Sequence, residues 1–215
     1  MKKILMPAML GAALLAAPAT FALTAPSAPA SETAKVVPYK VQPQLSTLGW
    51  EGKAVTHGHV GTMQFTGGEL QVNGSQIVGG TVTVDMKSMK ATDITDPANH
   101  TKFVGHMSSD DFFGVEKYPT STFKITSVKP IAGAAANADN ATITGDLTIK
   151  GVTQQISFPA KVGVKNGVAA ATGKVTIDRT KFGLKYGSKT FFDSIGDKAI
   201  YDTFDLTFNV VAKQG

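Results

Sequence analysis

The chain of 215 residues contains no cysteine. No disulfide can staple it, so core burial and backbone pairing must hold whatever fold it adopts. The same absence excludes a lipid-anchored lipoprotein, whose anchor needs an acylated cysteine. Arginine occurs once, as Arg179. A protein that reads a phosphate backbone needs a field of cations, and the formal charge of +5 is mild and dispersed, so nucleic acid is excluded as a partner. There is no long apolar run. The best candidate, Ile4 to Ala17, is too short and too rich in Ala and Gly to span a membrane. No serine stands in a Gly-x-Ser-x-Gly setting, and no nucleophile has a visible partner base, so the chain reads as non-enzymatic, with no cofactor.

What the first residues do contain is an export pattern. Lys2 and Lys3 precede the short apolar run, and small residues follow at Thr20-Phe21-Ala22. Residues 1–22 are expected to be a cleavable signal peptide, with Ala19 and Ala30 as other cleavage points. Its loss lowers the formal charge from +5 to +3, because two lysines leave with it. Residues 23–35 (LTAPSAPASETAK) offer almost nothing to bury and read as a flexible leader. A single domain is expected over 36–213, periplasmic or secreted, with no membrane span in the mature protein.

The punctuation of that domain is antiparallel β. Asn73-Gly74 and Asn166-Gly167 are two-residue hairpin signals, since type I′ turns need positive φ at both central positions. Gly67-Gly68 and Lys150-Gly151 are read as standing at similar places between extended runs. Val82, Val84 and Met86 alternate with Thr83 and Asp85, and Phe204, Leu206, Phe208 and Val210 alternate with Asp205, Thr207 and Asn209. That period of two sets one face on a core and the other in water. Eight to ten strands are expected, and a closed barrel removes the exposed edges that a protein without disulfides can least tolerate.

One stretch breaks the pattern. Asp96-Pro97 places an acid at a helix N-cap and proline at N1, predicting a helix to about Met107. Ser109-Asp110-Asp111-Phe112-Phe113 predicts a second short turn, capped by Ser109 and ended by Gly114. The helical insertion therefore occupies about residues 96–114. Asp110 and Asp111 invite an acid/base reading, but acids in a first helical turn stabilise it by roughly 0.3–1 kcal/mol each without any chemistry.

The run from His106 to Phe123 (HMSSDDFFGVEKYPTSTF) resembles the signature of the YceI-like family. Gly145-Asp146-Leu147-Thr148-Ile149-Lys150-Gly151-Val152-Thr153 and Arg179-Thr180-Lys181-Phe182-Gly183 are similar to two further elements of that family, in the same order. The resemblance covers about Val36 to Lys213. It implies an extended antiparallel lipocalin-like β-barrel of about eight strands, export, a possible homodimer, and a long apolar chain of polyisoprenoid or fatty-acyl type held inside the barrel. The sequence departs from the family where Phe103 and Val104 replace Arg-Asp, where Met107 replaces Leu, and where Trp50-Glu51-Gly52-Lys53 and His57-Gly58-His59 replace a His-Ser-x-Val-x-Phe pattern.

An eight-stranded barrel has room for side chains or one slender ligand. Aromatics gather on the irregular segments: Phe112, Phe113, Tyr118 and Phe123 in one, Phe182, Tyr186, Phe191 and Phe192 in the other. They either cap the core or line the mouth of a cavity. Phe204, Leu206 and Phe208 read as barrel interior, and as cavity wall if the interior is hollow. Trp50 is a core plug or a ligand contact, and His106 a structural residue or a head-group contact. For a ligand carrying phosphate, Arg179, Lys185 and Lys189 are the candidate cations, although Arg179 beside Asp178 also reads as a surface pair worth under roughly 1 kcal/mol. Two alternatives stand beside the lipid carrier. His57 and His59 share a strand face and, with His106, could serve a metal-dependent enzyme, but no third ligand has a characteristic spacing and the resemblance implies no metal. The barrel could also be packed solid, as a structural or interaction domain.

Overall fold

A computed structural model describes residues 35–215; the expected signal peptide, and all but the last residue of the expected leader, lie outside the described residues. Nine strands follow one another: β1 (Val36–Val41), β2 (Thr47–Ala54), β3 (Gly58–Asn73), β4 (Gln76–Ala91), β5 (Thr120–Pro130), β6 (Ala141–Ile149), β7 (Val152–Lys165), β8 (Val168–Asp178) and β9 (Ile200–Gln214). Among the described residues a single α-helix, α1 (Pro97–Ser108), interrupts them between β4 and β5. Every pairing is antiparallel, and β3 pairing with β4 closes the sheet into a barrel.

The nine segments make eight staves. β1 and β2 share one place between β3 and β9, β1 pairing with Glu69–Asn73 and β2 with Gly58–Met63. They are one strand interrupted by the short 3-10 turn Pro43–Leu45. Proline cannot donate to a ladder. Ser46 repairs the gap: its hydroxyl donates to the Gln42 carbonyl at 2.8 Å and accepts from the Val211 amide at 3.0 Å.

Turn chemistry sets the registers. Lys150-Gly151 and Asn166-Gly167 both have positive φ at both positions, the type I′ pattern, and Ile149 faces Val152 as Lys165 faces Val168. Asn73-Gly74 behaves differently from expectation. Asn73 pairs with Gln76, so the loop residues are Gly74 and Ser75, and only Gly74 has positive φ, as in a type II′ turn. Gly67-Gly68 is no inter-strand turn either. It lies inside β3 opposite Thr83 and Val82 of β4, and a Cβ on Gly68 would come within 2.2 Å of the Thr81 carbonyl. Two backbones crowd there, the register slips, and the strand bends around a barrel corner. A separate slip, between Gln71 and Val72, leaves Val78 out of the ladder and sets the phase of β4: Ile77 is buried and Val78 exposed, whereas Val82, Val84 and Met86 turn inward.

α1 begins as the sequence predicts, with the Asp96 carboxylate accepting from the Asn99 amide at 2.8 Å and Pro97 at N1. The segment after it differs. The Ser109 hydroxyl does not cap a second turn but reaches back to the His106 carbonyl at 2.7 Å, closing α1. The Ser109 carbonyl then accepts from the amides of Phe112 and Gly114. None of the helix's own residues is buried. No helix among the described residues is long and apolar enough to cross a membrane.

Candidate ligand-binding chambers

The inward faces of the staves do not fill the barrel. They leave an inner chamber. Its wall is made by β3 (Met63, Phe65, Leu70), β4 (Val82, Val84, Met86), β5 and β6 (Phe123, Ile125, Ile143, Leu147), β7 and β8 (Ile156, Phe158, Ala171, Val175) and β9 (Phe204, Leu206, Phe208, Val210). Ser121 and Thr122 are the polar members of the wall, and the Ser121 hydroxyl is spent on the Thr148 carbonyl at 2.7 Å. Beyond Leu70, the buried side chains of Tyr39, Val41, Val72, Ala160, Ala169 and Ala212 pack that end of the barrel.

A second, outer chamber lies toward the helical insertion. Trp50, Met89, Phe103, Met107, Phe112, Leu184 and Ile200 form its apolar wall, and Lys53, His57, His59, Arg179, Tyr201 and Thr203 its polar one. Met63, Phe113 and Phe204 line both chambers and so form the partition between them. Trp50 is placed by register. It faces Gly61 across the β2–β3 ladder, and a Cβ on Gly61 would lie 2.4 Å from the indole ring, so only glycine lets the ring lie against the strand. Phe103 of α1 then stacks on Trp50 with centroids 6.2 Å apart, and tilts against His59 at 4.5 Å.

The three sequence motifs converge at this end. Phe112 from the first, Leu147 and Ile149 from the second, and Ile177, Phe182 and Leu184 around the third form one buried cluster. Tyr118 seats on the β6–β7 turn, its ring 2.8 Å from where a Gly151 Cβ would be, and the Lys150 ammonium donates to the Asp110 carbonyl at 2.6 Å.

The candidate residues divide accordingly. Trp50, Phe112 and Arg179 line the outer chamber, Phe123, Leu206 and Phe208 the inner, and Phe113 and Phe204 both. His106, Tyr118, Phe182, Tyr186, Phe191, Phe192, Lys185 and Lys189 line neither. Phe182 is buried in the motif cluster, whereas Tyr186, Phe191 and Phe192 are exposed. His106 packs edge-on against Phe112 and Tyr186 at 5.2 and 4.7 Å, with its Nε2 3.7 Å from Asp111. Lys185 lies over the Phe191 ring at 4.7 Å. The sequence does not mark Met63 or Met89 as chamber residues, Met63 being signalled only by its alternation with Phe65, and it marks Met107 only as the helix end and a departure from the family.

Arg179 is not a surface partner of Asp178. It is 4% exposed. Its Nε donates to the Tyr201 carbonyl at 2.9 Å, Nη1 to Leu184 at 2.6 Å and Nη2 to Ile200 at 3.0 Å. Asp178 instead accepts from the Thr180 amide and hydroxyl, at 3.0 and 2.5 Å. Burial lowers the guanidinium's pKa, and the charges of Asp202, 3.6 Å from Nη2, and Asp178 act against that. The arginine therefore ties the β8–β9 connection to the start of β9.

The histidine alternative finds no metal centre. His57 and His59 lie edge-on at 5.4 Å, and His59 Nδ1 is bonded to Asp93 at 2.8 Å. His106 stands against Tyr186 instead, and no group of three or more His, Cys, Asp or Glu among the described residues is arranged to hold a metal ion. The two chambers stand against the solid-core alternative.

A family model described as the YceI-like domain matches residues 39–212. The chain belongs to the YceI-like family. Among curated relatives, a UPF0312 protein of Pseudomonas paraeruginosa is 40% identical over 93 residues, 40% of this chain and 46% of that protein. Protein YceI of Escherichia coli O6:H1 is 34% identical over 113 residues, 46% of this chain and 56% of that one. A UPF0312 protein of Pseudomonas putida aligns more widely, 29% identical over 159 residues, 70% and 71% of the two chains. The match thus spans about half the length of the first two. Two solved structures share the YceI-like barrel. A polyisoprenoid binding domain from Saccharophagus degradans, implicated in plant cell wall breakdown, superposes with a TM-score of 0.57 at 18% identity, covering 84% of this chain and 100% of that one. BcnA of Burkholderia cenocepacia gives 0.55 at 21%, covering 80% and 99%.

Proposed function

We propose that this YceI-like protein is an exported, non-enzymatic carrier or sequestering protein for a long-chain amphiphile of polyisoprenoid or fatty-acyl type. The observation that carries the reading is the pair of chambers sharing Met63, Phe113 and Phe204, with a nearly unbroken apolar wall in the inner one. A tail threaded through both gains roughly 0.8 kcal/mol per buried CH₂, against which the loss of translational and rotational freedom must be set. The likeness of the fold to a domain described as polyisoprenoid binding supports the same ligand class. Phe112, Phe113, Phe123, Phe204, Leu206 and Phe208 are the wall residues of that reading, with Trp50 at the outer end.

The test uses the chain's own reporter, its single tryptophan. Titration of the purified protein with a polyprenol or an unsaturated fatty acid is expected to change Trp50 emission saturably at micromolar concentration or below. No change with either class, at any accessible concentration, overturns the reading.

A further inference from the structure

We infer that the connection between β8 and β9 docks this protein on an anionic lipid bilayer, with Phe191 and Phe192 entering the surface and Lys185 and Lys189 lying among the head groups. These four residues line neither chamber, so the inference goes beyond the carrier reading and does not rest on it. Among the described residues four aromatic side chains are exposed, and all four fall between 186 and 201: Tyr186, Phe191, Phe192 and Tyr201. Phe191 and Phe192 are 43% and 50% exposed. The other large apolar side chains left in water are five valines and one leucine, so aromatic exposure is confined to this one segment.

A firm base holds the rings out. Leu184, Ser188 and Ala199 are buried beneath them. The Ile200 amide donates to the Gly187 carbonyl at 2.7 Å, and the amides of Phe191 and Phe192 donate to the Ser188 carbonyl at 3.2 and 3.0 Å. The Thr190 hydroxyl donates to Asp202 at 2.5 Å, tying the turn to β9. Adjacent rings held in water by a footed turn mark an interaction site.

Charge selects the partner. The segment 181–198 carries four exposed lysines, Lys181, Lys185, Lys189 and Lys198, against two acids, Asp193 and Asp197, which leaves +2. None of the four lysines is ion-paired among the described residues. The Lys185 ammonium stands 4.7 Å from the Phe191 ring centroid, so cation and ring share one level. Protein interfaces are depleted in lysine. Rings that sink below the phosphates beside ammonium groups that stay among them are the makeup of an interfacial anchor. The segment also starts and ends at the outer chamber, whose wall includes Leu184 before it and Ile200 and Tyr201 after it. Docking therefore sets that chamber beside the bilayer.

Co-sedimentation tests this with protein purified from its own cells without detergent. The vesicles are phosphatidylcholine alone, or phosphatidylcholine with one-quarter phosphatidylglycerol. The wild type is expected to bind the anionic vesicles about tenfold more tightly than the neutral ones. Phe191→Ser combined with Phe192→Ser is expected to weaken binding to the anionic vesicles by more than about tenfold. Lys185→Gln combined with Lys189→Gln is expected to bring it down to the neutral-vesicle level. Val78→Ser, beside Ile77 at the packed end of the barrel, is expected to change nothing. All five side chains are exposed, so the variants keep the fold. Equal binding to both vesicles, undiminished binding by either double variant, or an equal loss with Val78→Ser overturns the assignment. A wild type that sediments with neither vesicle overturns it too, and self-association through Phe191 and Phe192 would then make a second copy of the chain the occupant. Each of these failures leaves the carrier reading standing, because Trp50 titration with a dissolved ligand needs no bilayer.

Discussion

Phe103 stacks on Trp50 across the outer chamber, ring centroids 6.2 Å apart and planes 17° from parallel. The first ring belongs to α1, a helix with no buried residue of its own, and the second to the barrel wall. The helix is held by a few such contacts. Another is the Ala91 amide, which donates to His100 Nε2 at 3.3 Å.

Phe103→Ala removes that cover. A loss of about 1–2 kcal/mol is expected for a half-buried ring on a pliable element, with a red shift of Trp50 emission and faster ligand release. Thermal melts and stopped-flow displacement check it. A variant with unchanged emission and release rate contradicts the helix's role as a cover.

Arg179→Ala orphans the carbonyls of Leu184, Ile200 and Tyr201 together. Removing a buried charge-assisted network of this kind costs about 3–5 kcal/mol, which corresponds to about 10 °C in melting temperature for a domain of this size. Arg179→Lys is expected to fall between. A melting temperature within about 2 °C of wild type for Arg179→Ala would show that the clasp is not a stabilising one.

Acid is expected to weaken the fold. The Asp205 carboxylate lies below its ordinary pKa because the Lys174 ammonium at 2.8 Å and the Thr176 hydroxyl at 2.6 Å favour its charged form. Burial pushes Asp93 up, but His59 and the Val60 amide outweigh it and hold that group low as well. A depressed folded pKa stabilises the protein above the unfolded value, near 4, and that stability disappears as pH falls through the folded value. Both groups are partly exposed, so the effect is small. Melting temperatures from neutral pH down to about 3 should stay level and then fall below about 5. Asp205→Asn should start lower and converge on the wild type in acid. A constant gap between the two across the range contradicts the assignment.

Ala171→Phe places a ring in the inner chamber. The chamber has room for it, so the cost is expected at the low end of the roughly 1–3 kcal/mol typical of overpacking, with the barrel intact by circular dichroism. Affinity for long chains is expected to drop more than tenfold, while ligands short enough for the outer chamber keep theirs. Undiminished long-chain binding contradicts the threading of the inner chamber.

Much of this architecture is legible in the sequence because local chemistry decides it. Asp96-Pro97 can begin a helix and little else, and Asn166-Gly167 and Lys150-Gly151 supply the positive φ that two-residue hairpins require. Alternation places Leu206 and Phe208 inside. What escapes is whatever depends on partners distant in the chain. Asp178 is Arg179's neighbour in sequence, but its carboxylate is used on Thr180, and the arginine's partners arrive from Leu184, Ile200 and Tyr201. Tyr118 and Phe113 are five residues apart in one aromatic-rich segment, yet one seats on the Gly151 turn and the other divides the barrel's interior. Only the register that brings Gly61 opposite Trp50 shows that the indole lies against β3 at the chamber wall.

The most direct test of the central claim is native mass spectrometry of the protein purified without detergent from its own cells, before and after extraction with organic solvent. The account predicts a population heavier than the bare chain by the mass of one long-chain amphiphile, which extraction removes and mass analysis of the extract identifies. A single species at the mass of the bare chain, unchanged by extraction and by added polyprenol or fatty acid, would contradict it.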